Sequence, residues 1–155
     1  MVSQTGGFCD NWEKRAIMKL VIDNNIFFSL MKPESVNSYI YFLANAQFYA
    51  PKYIETELEE HKVECIAKAG LSEHEFEIRQ KEVKENIEFF EFTEYKQYLK
   101  ESIILLPDWE DAPYLALAQF LNASIWSNDI HFMQQSKIKV FTTQRLFDML
   151  LKREI

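Results

Sequence analysis

The chain has 155 residues, enough for one domain with a real core, and its 3 Gly and 4 Pro exclude long linkers and low-complexity stretches. A net charge of -7 excludes a protein that coats nucleic acid through bulk basic surface, but not a local site whose carboxylates are offset by bound cations. No apolar run approaches the about 20 residues of a membrane span, no signal peptide is visible, and two cysteines, Cys9 and Cys65, make no disulfide framework, so a reduced cytoplasmic chain is expected.

Residues 1–17 show no hydropathy period and are expected to form a loose N-terminal extension ahead of a domain over 18–155. The aliphatic run at 19–22 predicts a first strand, ended by Asp23. Ile26, Phe27 and Phe28 then continue the apolar character. Pro33 opens a helix over about 34–46, where a proline in the first turn costs no hydrogen bond. Residues 48–50 make a short second strand. Pro51 opens a helix that runs to about Ala69 and stops at Gly70. Ser72 and Glu75 form a capping box for a charged helix expected to reach about Phe90, and Thr93 heads another. Pro107 breaks the chain. The next helix holds Pro113 in its first turn and ends at Leu121. Ile125 and Trp126 form the core of a third strand, residues 139–142 a fourth and 143–152 a last helix, with a helical turn at 130–135.

Alternation of this kind predicts an α/β fold with a parallel sheet covered on both faces. The segment 52–101 carries 14 Glu against 8 Lys or Arg. That balance reads as a solvated helical hairpin laced with i,i+4 pairs, or as a clip over the site edge or a dimer surface.

In a parallel sheet the C-terminal strand ends share one edge, and ligands bind in the crevice there. Asp23 and Asp129 end the first and third strands. Glu57 lies beside the stripe of Ile54 and Leu58 on its helix, and Asp111 heads a helix rich in small and apolar residues, with Asp108 and Glu110 competing for that role. Ser127 and Asp129 share one side of a strand end, where a hydroxyl beside a carboxylate suits a metal-bound water or a phosphate oxygen. Asn25 is placed to bond a second carboxylate or a substrate oxygen. Carboxylates gathered at one edge do not all ionise cheaply unless a cation joins them, and hard divalent cations prefer carboxylate oxygen.

Other polar groups read more blandly. His61 and Cys65 offer too few ligands for a zinc site. His74 reads as solvated, and His131 as a surface or packing residue beside the Asp129 motif. Lys137, Lys139 and Arg145 form a modest basic group, read as a solvated face. Trp109 and Trp126 are expected in the core.

The combination resembles the PIN-domain family, the ribonuclease fold that includes VapC-type toxins of toxin–antitoxin pairs. The resemblance covers about residues 18–150. It rests on an apolar strand ending in Asp23-Asn24-Asn25, on Pro51 followed six residues later by Glu57-Leu58, on Asp111 heading the Ala-rich run to Ala118, and on Ser127-Asn128-Asp129 closing a strand, with Phe132 beyond. Each motif alone is weak; four in order at suitable spacing are specific. The resemblance implies a three-layer α/β/α fold with a central parallel sheet of four to five short strands and an extended helical hairpin. It implies a metal-dependent ribonuclease acting on single-stranded RNA, with one or two Mg²⁺ or Mn²⁺ ions held by Asp23, Asp111, Asp129 and Glu57, and with Asn25, Ser127 and Asn128 supporting the site or substrate. It further implies a homodimer and, for a toxin, an antitoxin protein as partner; a stand-alone nuclease in RNA processing is equally compatible with it.

Two rivals stand beside this reading. A phosphatase with an aspartyl nucleophile needs a second acid two residues after the first, and Asn25 occupies that position. A PIN-like interaction module that keeps the fold without cleaving is favoured by the acidic balance and the helical segment, and disfavoured by the presence of all four acids.

Overall fold

The structure, a computed structural model, describes residues 17–155. The expected N-terminal extension, apart from Ile17, lies outside the described residues, as does Cys9. Five short strands form one parallel sheet: β1 (Met18–Ile22), β2 (Ala46–Pro51), β3 (Ile87–Phe90), β4 (Ser124–Trp126) and β5 (Val140–Phe141), in the order β3-β2-β1-β4-β5.

Nine α-helices connect these strands among the described residues. They are α1 (Asn24–Ser29), α2 (Val36–Leu43), α3 (Tyr53–Glu60), α4 (Lys62–Ala69), α5 (Glu73–Lys84), α6 (Phe92–Tyr95), α7 (Leu99–Leu105), α8 (Ala112–Leu121) and α9 (Thr143–Leu151). Short 3₁₀ turns span Lys96–Tyr98, Trp109–Asp111 and Ile130–Gln134.

Consecutive residues Leu20, Val21 and Ile22 are all buried, as a central strand covered on both faces requires. The register sets Leu20 beside Phe48 and Ile22 beside Trp126, so these four share one face. Tyr41 of α2 packs on Phe48, and the Trp126 indole donates to Thr143 Oγ1 of α9 at 3.2 Å. Val21, Ile125 and Tyr49 face the other way. There α8 closes the layer: Phe120 meets Phe90, which meets Tyr49. Ala112, Ala116 and Ala118 of α8 are fully buried; their small side chains let the helix lie close to the sheet.

Three elements differ from the sequence reading. Residues 87–90 form strand β3, not the end of a helix. The capping-box helix stops at Lys84, and Ile87 to Phe90 then pair with Phe48 to Pro51. That pairing is non-local, so the helical charge pattern before it gave no warning. The helix expected over 51–69 is two helices, broken at His61 (φ -106, ψ 15). Residues 24–29 form α1 directly after β1, with Asp23 as N-cap.

The expected hairpin is formed by α4 and α5. Gly70 closes α4 in the left-handed region (φ 68), as a C-terminal helix residue with no Cβ does readily. Lys62 pairs with Glu77 at 2.9 Å across the hairpin.

Candidate active site

The C-terminal ends of β1 and β4 lie side by side, and the sheet continues one step beyond them through the Asp23 N–H, which donates to the Trp126 carbonyl at 3.3 Å. This places Asp23 and Ser127 together. Asp23 is 2 % exposed and Ser127 fully buried. The Asp23 carboxylate serves two neighbours. Its Oδ1 accepts from the Ile26 N–H at 2.8 Å, which caps α1. Its Oδ2 accepts a short hydrogen bond from the Ser127 hydroxyl. The same hydroxyl accepts from the Asp129 N–H at 3.0 Å. One serine thus ties the first acid to the backbone of the last. Asp129 Oδ1 in turn accepts from the His131 N–H at 2.9 Å and opens the 3₁₀ turn that follows.

Glu57 reaches the same edge from α3. It is 7 % exposed, between the buried Ile54 and Leu58. Its Oε2 accepts from Asn24 Nδ2 at 2.7 Å, and its Oε1 accepts a short bond from the Tyr114 hydroxyl of α8. The neighbour of Asp23 that bonds a carboxylate is therefore Asn24. Asn25 is exposed, and its side chain has no hydrogen-bond partner among the described residues. Tyr114 lies inside the Asp111 to Ala118 motif, but nothing in that motif assigns it a contact with a carboxylate: it reads as one more apolar residue of α8. Its role becomes visible only when α8 is laid against α3.

Asp111 closes the group. It lies at the junction of the 3₁₀ turn and α8, with Pro113 in the first turn of that helix. Its Oδ2 is buried and has no hydrogen-bond partner among the described residues. The nearest positive candidate is His131, whose Nδ1 lies 3.9 Å from Asp111 and 3.6 Å from Asp129. Asp108 spends Oδ1 on the Glu110 N–H at 3.0 Å, yet one ligand atom each from Asp108, Asp111 and His131 lies within 4.8 Å of the others. His131 thus belongs to the neighbourhood of the acids. Asn128 faces away, donating to Thr143 Oγ1 at 2.9 Å and accepting from the Thr143 N–H at 2.8 Å, which ties the end of β4 to the start of α9.

Trp126 is fully buried, as expected, but Trp109 is 66 % exposed. It rides on the 3₁₀ turn before α8, and the first buried residue of that stretch is Ala112.

The electrostatics follow from burial and crowding. Burial is the main cause that raises Asp23 to about 6; the bonds from Ser127 and Ile26 oppose it, and Asp129 and Glu57 add to it. Asp111 rises to about 7, again chiefly by burial, with Asp129, Asp108 and Asp23 adding repulsion. Glu57 is also raised by burial, against the hydrogen bonds from Tyr114 and Asn24. Among the described residues no Lys or Arg forms an ion pair with Asp23, Glu57, Asp111 or Asp129; the only ion-pair partner of any of them is His131. The charge deficit, the carboxylate-rich surroundings and the orphaned Asp111 Oδ2 fit a hard divalent cation; the described residues whose ligand atoms all lie within 4.8 Å of one another are Asp108, Asp111 and His131, not the four acids singled out in the sequence.

The described residues hold no helix long and apolar enough to cross a membrane. No curated protein matches the chain. Among solved structures it is similar to a chain of VapBC2 from Rickettsia felis, crystallised bound to a DNA fragment from their promoter. The TM-score is 0.59 at 15% identity, over 81% of this chain and 98% of that one; that likeness shows a shared fold. The PIN domain family matches residues 21–150, a span that holds all four acids, and the chain belongs to the PIN-domain family.

Proposed function

We propose that the chain is a Mg²⁺- or Mn²⁺-dependent endoribonuclease that hydrolyses phosphodiester bonds of single-stranded RNA, and that it acts in the cytoplasm as the toxin of a toxin–antitoxin pair. One observation carries the reading: carboxylates at the ends of β1 and β4, on α3 and at the start of α8 converge on one sheet edge, with no Lys or Arg among the described residues to neutralise them. A fold that needed only a binding surface gains nothing from burying unpaired acids, which cost stability. Membership of the PIN-domain family supports the nuclease class.

In this reading Asp23, Asp111 and Asp129 hold the cation, with Glu57 as a further ligand or as the group that orients the attacking water. A bound divalent cation supplies an activated water and neutralises charge on the phosphate. The chain's own residues do the positioning. Ser127 fixes Asp23 relative to Asp129 through its two hydrogen bonds. Tyr114 and Asn24 hold both oxygens of Glu57, so that carboxylate has one orientation before substrate arrives. His131 stands beside Asp111 and Asp129, where its ring bears on their charge.

The fold shared with VapBC2 and the resemblance to VapC-type toxins support an antitoxin as partner. A homodimer is supported by an apolar face on α2 and α9, which pack together. Val36, Tyr39 and Leu43 of α2 and Leu151 of α9 are exposed there, apolar side chains that a second copy would cover. The test of the central reading is RNA cleavage by the wild-type protein and by Asp23→Asn with Mn²⁺ present. Loss of cleavage in the variant is expected; full activity in the variant would contradict the assignment.

A further inference from the structure

A cavity of about 540 Å³ opens beside the acidic edge, between α1 and α4. Its volume falls in the range of about 300–1,000 Å³ typical of small-molecule sites. Asn24 forms part of its wall while its amide bonds Glu57, so the cavity and the acids share one residue. The lining divides into groups already committed and groups left free, and it holds one exposed carboxylate, Glu64, whose oxygen lies 3.9 Å from His61 Nδ1. Ser29 and Ser35 spend their hydroxyls on the Ile26 and Ser29 carbonyls. The side chains of Asn25, Lys32 and Lys68 have no partner among the described residues, and all three are exposed. Phe28 and His61 set two rings on the wall, with centroids 5.7 Å apart and planes at 50°.

We propose that this cavity is a nucleotide subsite that holds the residue of single-stranded RNA next to the bond being cut. Lys32 and Lys68 meet its phosphates, Phe28 or His61 stacks on its base, and the free Asn25 carboxamide reads the base edge. Unstacked bases of single-stranded RNA are recognised in this manner, by ring stacking and by hydrogen bonds to their edges, while lysines track the backbone. The assignment rests on the nuclease reading above for the identity of the ligand.

A second cavity gives an internal comparison. It has the same volume, about 540 Å³, but lies at the N-terminal end of β2 and β3, where the lining among the described residues has Glu85 and Glu88 and no Lys or Arg, against Lys32 and Lys68 with the single Glu64 in the first. Volume alone therefore does not single out a site. Two unpaired ammonium groups, two rings and contact with the acidic edge occur together only at the first. In a chain of net charge -7, lysines left unpaired around a concave surface are where an anionic polymer gains most.

The experiment is fluorescence anisotropy of a labelled single-stranded RNA oligonucleotide with the full chain in EDTA, across a salt series from about 50 to 200 mM. The same series is run with Lys32→Ala/Lys68→Ala, with His61→Ala, with Asn25→Ala and with Lys100→Ala as an exposed lysine outside the cavity. The double lysine variant is expected to lower the log–log salt slope by about 1.4, since each phosphate contact on a single strand contributes about 0.7. His61→Ala is expected to weaken binding about fivefold, the low end of what loss of one stacked base costs. Asn25→Ala should narrow the differences in affinity among the four homopolymers, and Lys100→Ala should leave affinity unchanged. An unchanged slope in the double variant overturns the subsite, as does wild-type protein that binds no RNA at low salt. Binding of an acidic peptide in place of RNA also overturns it and assigns the cavity to a protein segment. Because binding is read without metal, failure of the subsite is separate from failure of the nuclease reading, which metal-dependent cleavage reports independently.

Discussion

Replacing Asp23 by Asn should stabilise the metal-free protein at alkaline pH while removing its response to divalent cations. Burial raises the Asp23 carboxyl from 3.8 to about 6, so the folded state holds that proton more tightly than the unfolded chain does. The favourable contribution of the protonated group is complete below 3.8 and is lost as pH rises through about 6. At pH 8 the ionised carboxylate therefore costs the fold up to about 3 kcal/mol. Asn avoids this cost. It is also a good N-cap, so its oxygen keeps the bond from the Ile26 N–H; its NH₂ then faces Ser127, whose oxygen accepts from it as well as from the Asp129 N–H and whose own proton loses its acceptor, which offsets part of the gain. For a chain of this size each kcal/mol moves Tm by about 2–4 °C, so the variant should melt higher in EDTA at pH 8, by at most about 6–12 °C. Near pH 4 the two proteins should converge. Added Mg²⁺ or Mn²⁺ should raise the wild-type Tm and leave Asp23→Asn nearly unmoved, by the linkage between binding and folding. Thermal melts at pH 4, 6 and 8, with and without metal, read all of this. A variant less stable than wild type at pH 8 in EDTA would refute the claim that the buried charge is uncompensated.

Other perturbations separate positioning from folding. Tyr114→Phe removes the hydroxyl that holds Glu57 Oε1; it should slow cleavage at least about tenfold at saturating RNA with little change in KM, because the lost bond organises the reacting groups rather than the substrate. Ser127→Ala takes away the donor to Asp23 and the acceptor for the Asp129 N–H. Denaturant titration near neutral pH should show a loss of about 1–3 kcal/mol, the usual cost of leaving such buried groups unpaired. Gly70→Ala strains a position at φ 68 with open space around its Cβ, so it should cost about 1 kcal/mol in stability and leave cleavage unaltered, a pairing that melts and kinetics check together.

The parts of the molecule that were legible in the sequence are those specified locally. The aliphatic run before Asp23 and the pair Ile125-Trp126 before Ser127 announce the two central strands, because buried strands are apolar throughout. Glu57 stood out by its place beside Ile54 and Leu58. The parts that were not legible depend on partners distant in the chain. Strand β3 exists because Ile87 to Phe90 find Phe48 to Pro51; on its own the segment looks like the tail of a charged helix. The break at His61 has no Gly or Pro to mark it. The contribution of Asn24 rather than Asn25 to the Glu57 bond follows from α1 starting immediately after Asp23, which turns the two side chains in different directions. Tyr114 looked like core and is core, but its hydroxyl ends on a carboxylate. Trp109 shows the converse: a large aromatic expected inside stands outside, since the 3₁₀ turn that carries it precedes the packed part of α8.

The most direct test of the account is incubation of purified protein with a mixed single-stranded RNA pool in Mn²⁺, in Mg²⁺ and in EDTA, beside Asp129→Asn under the same conditions. The account predicts cleavage that requires metal and disappears in the variant. Cleavage that persists in EDTA or in Asp129→Asn, or a folded wild-type protein that leaves every RNA in the pool intact with either metal, would contradict it.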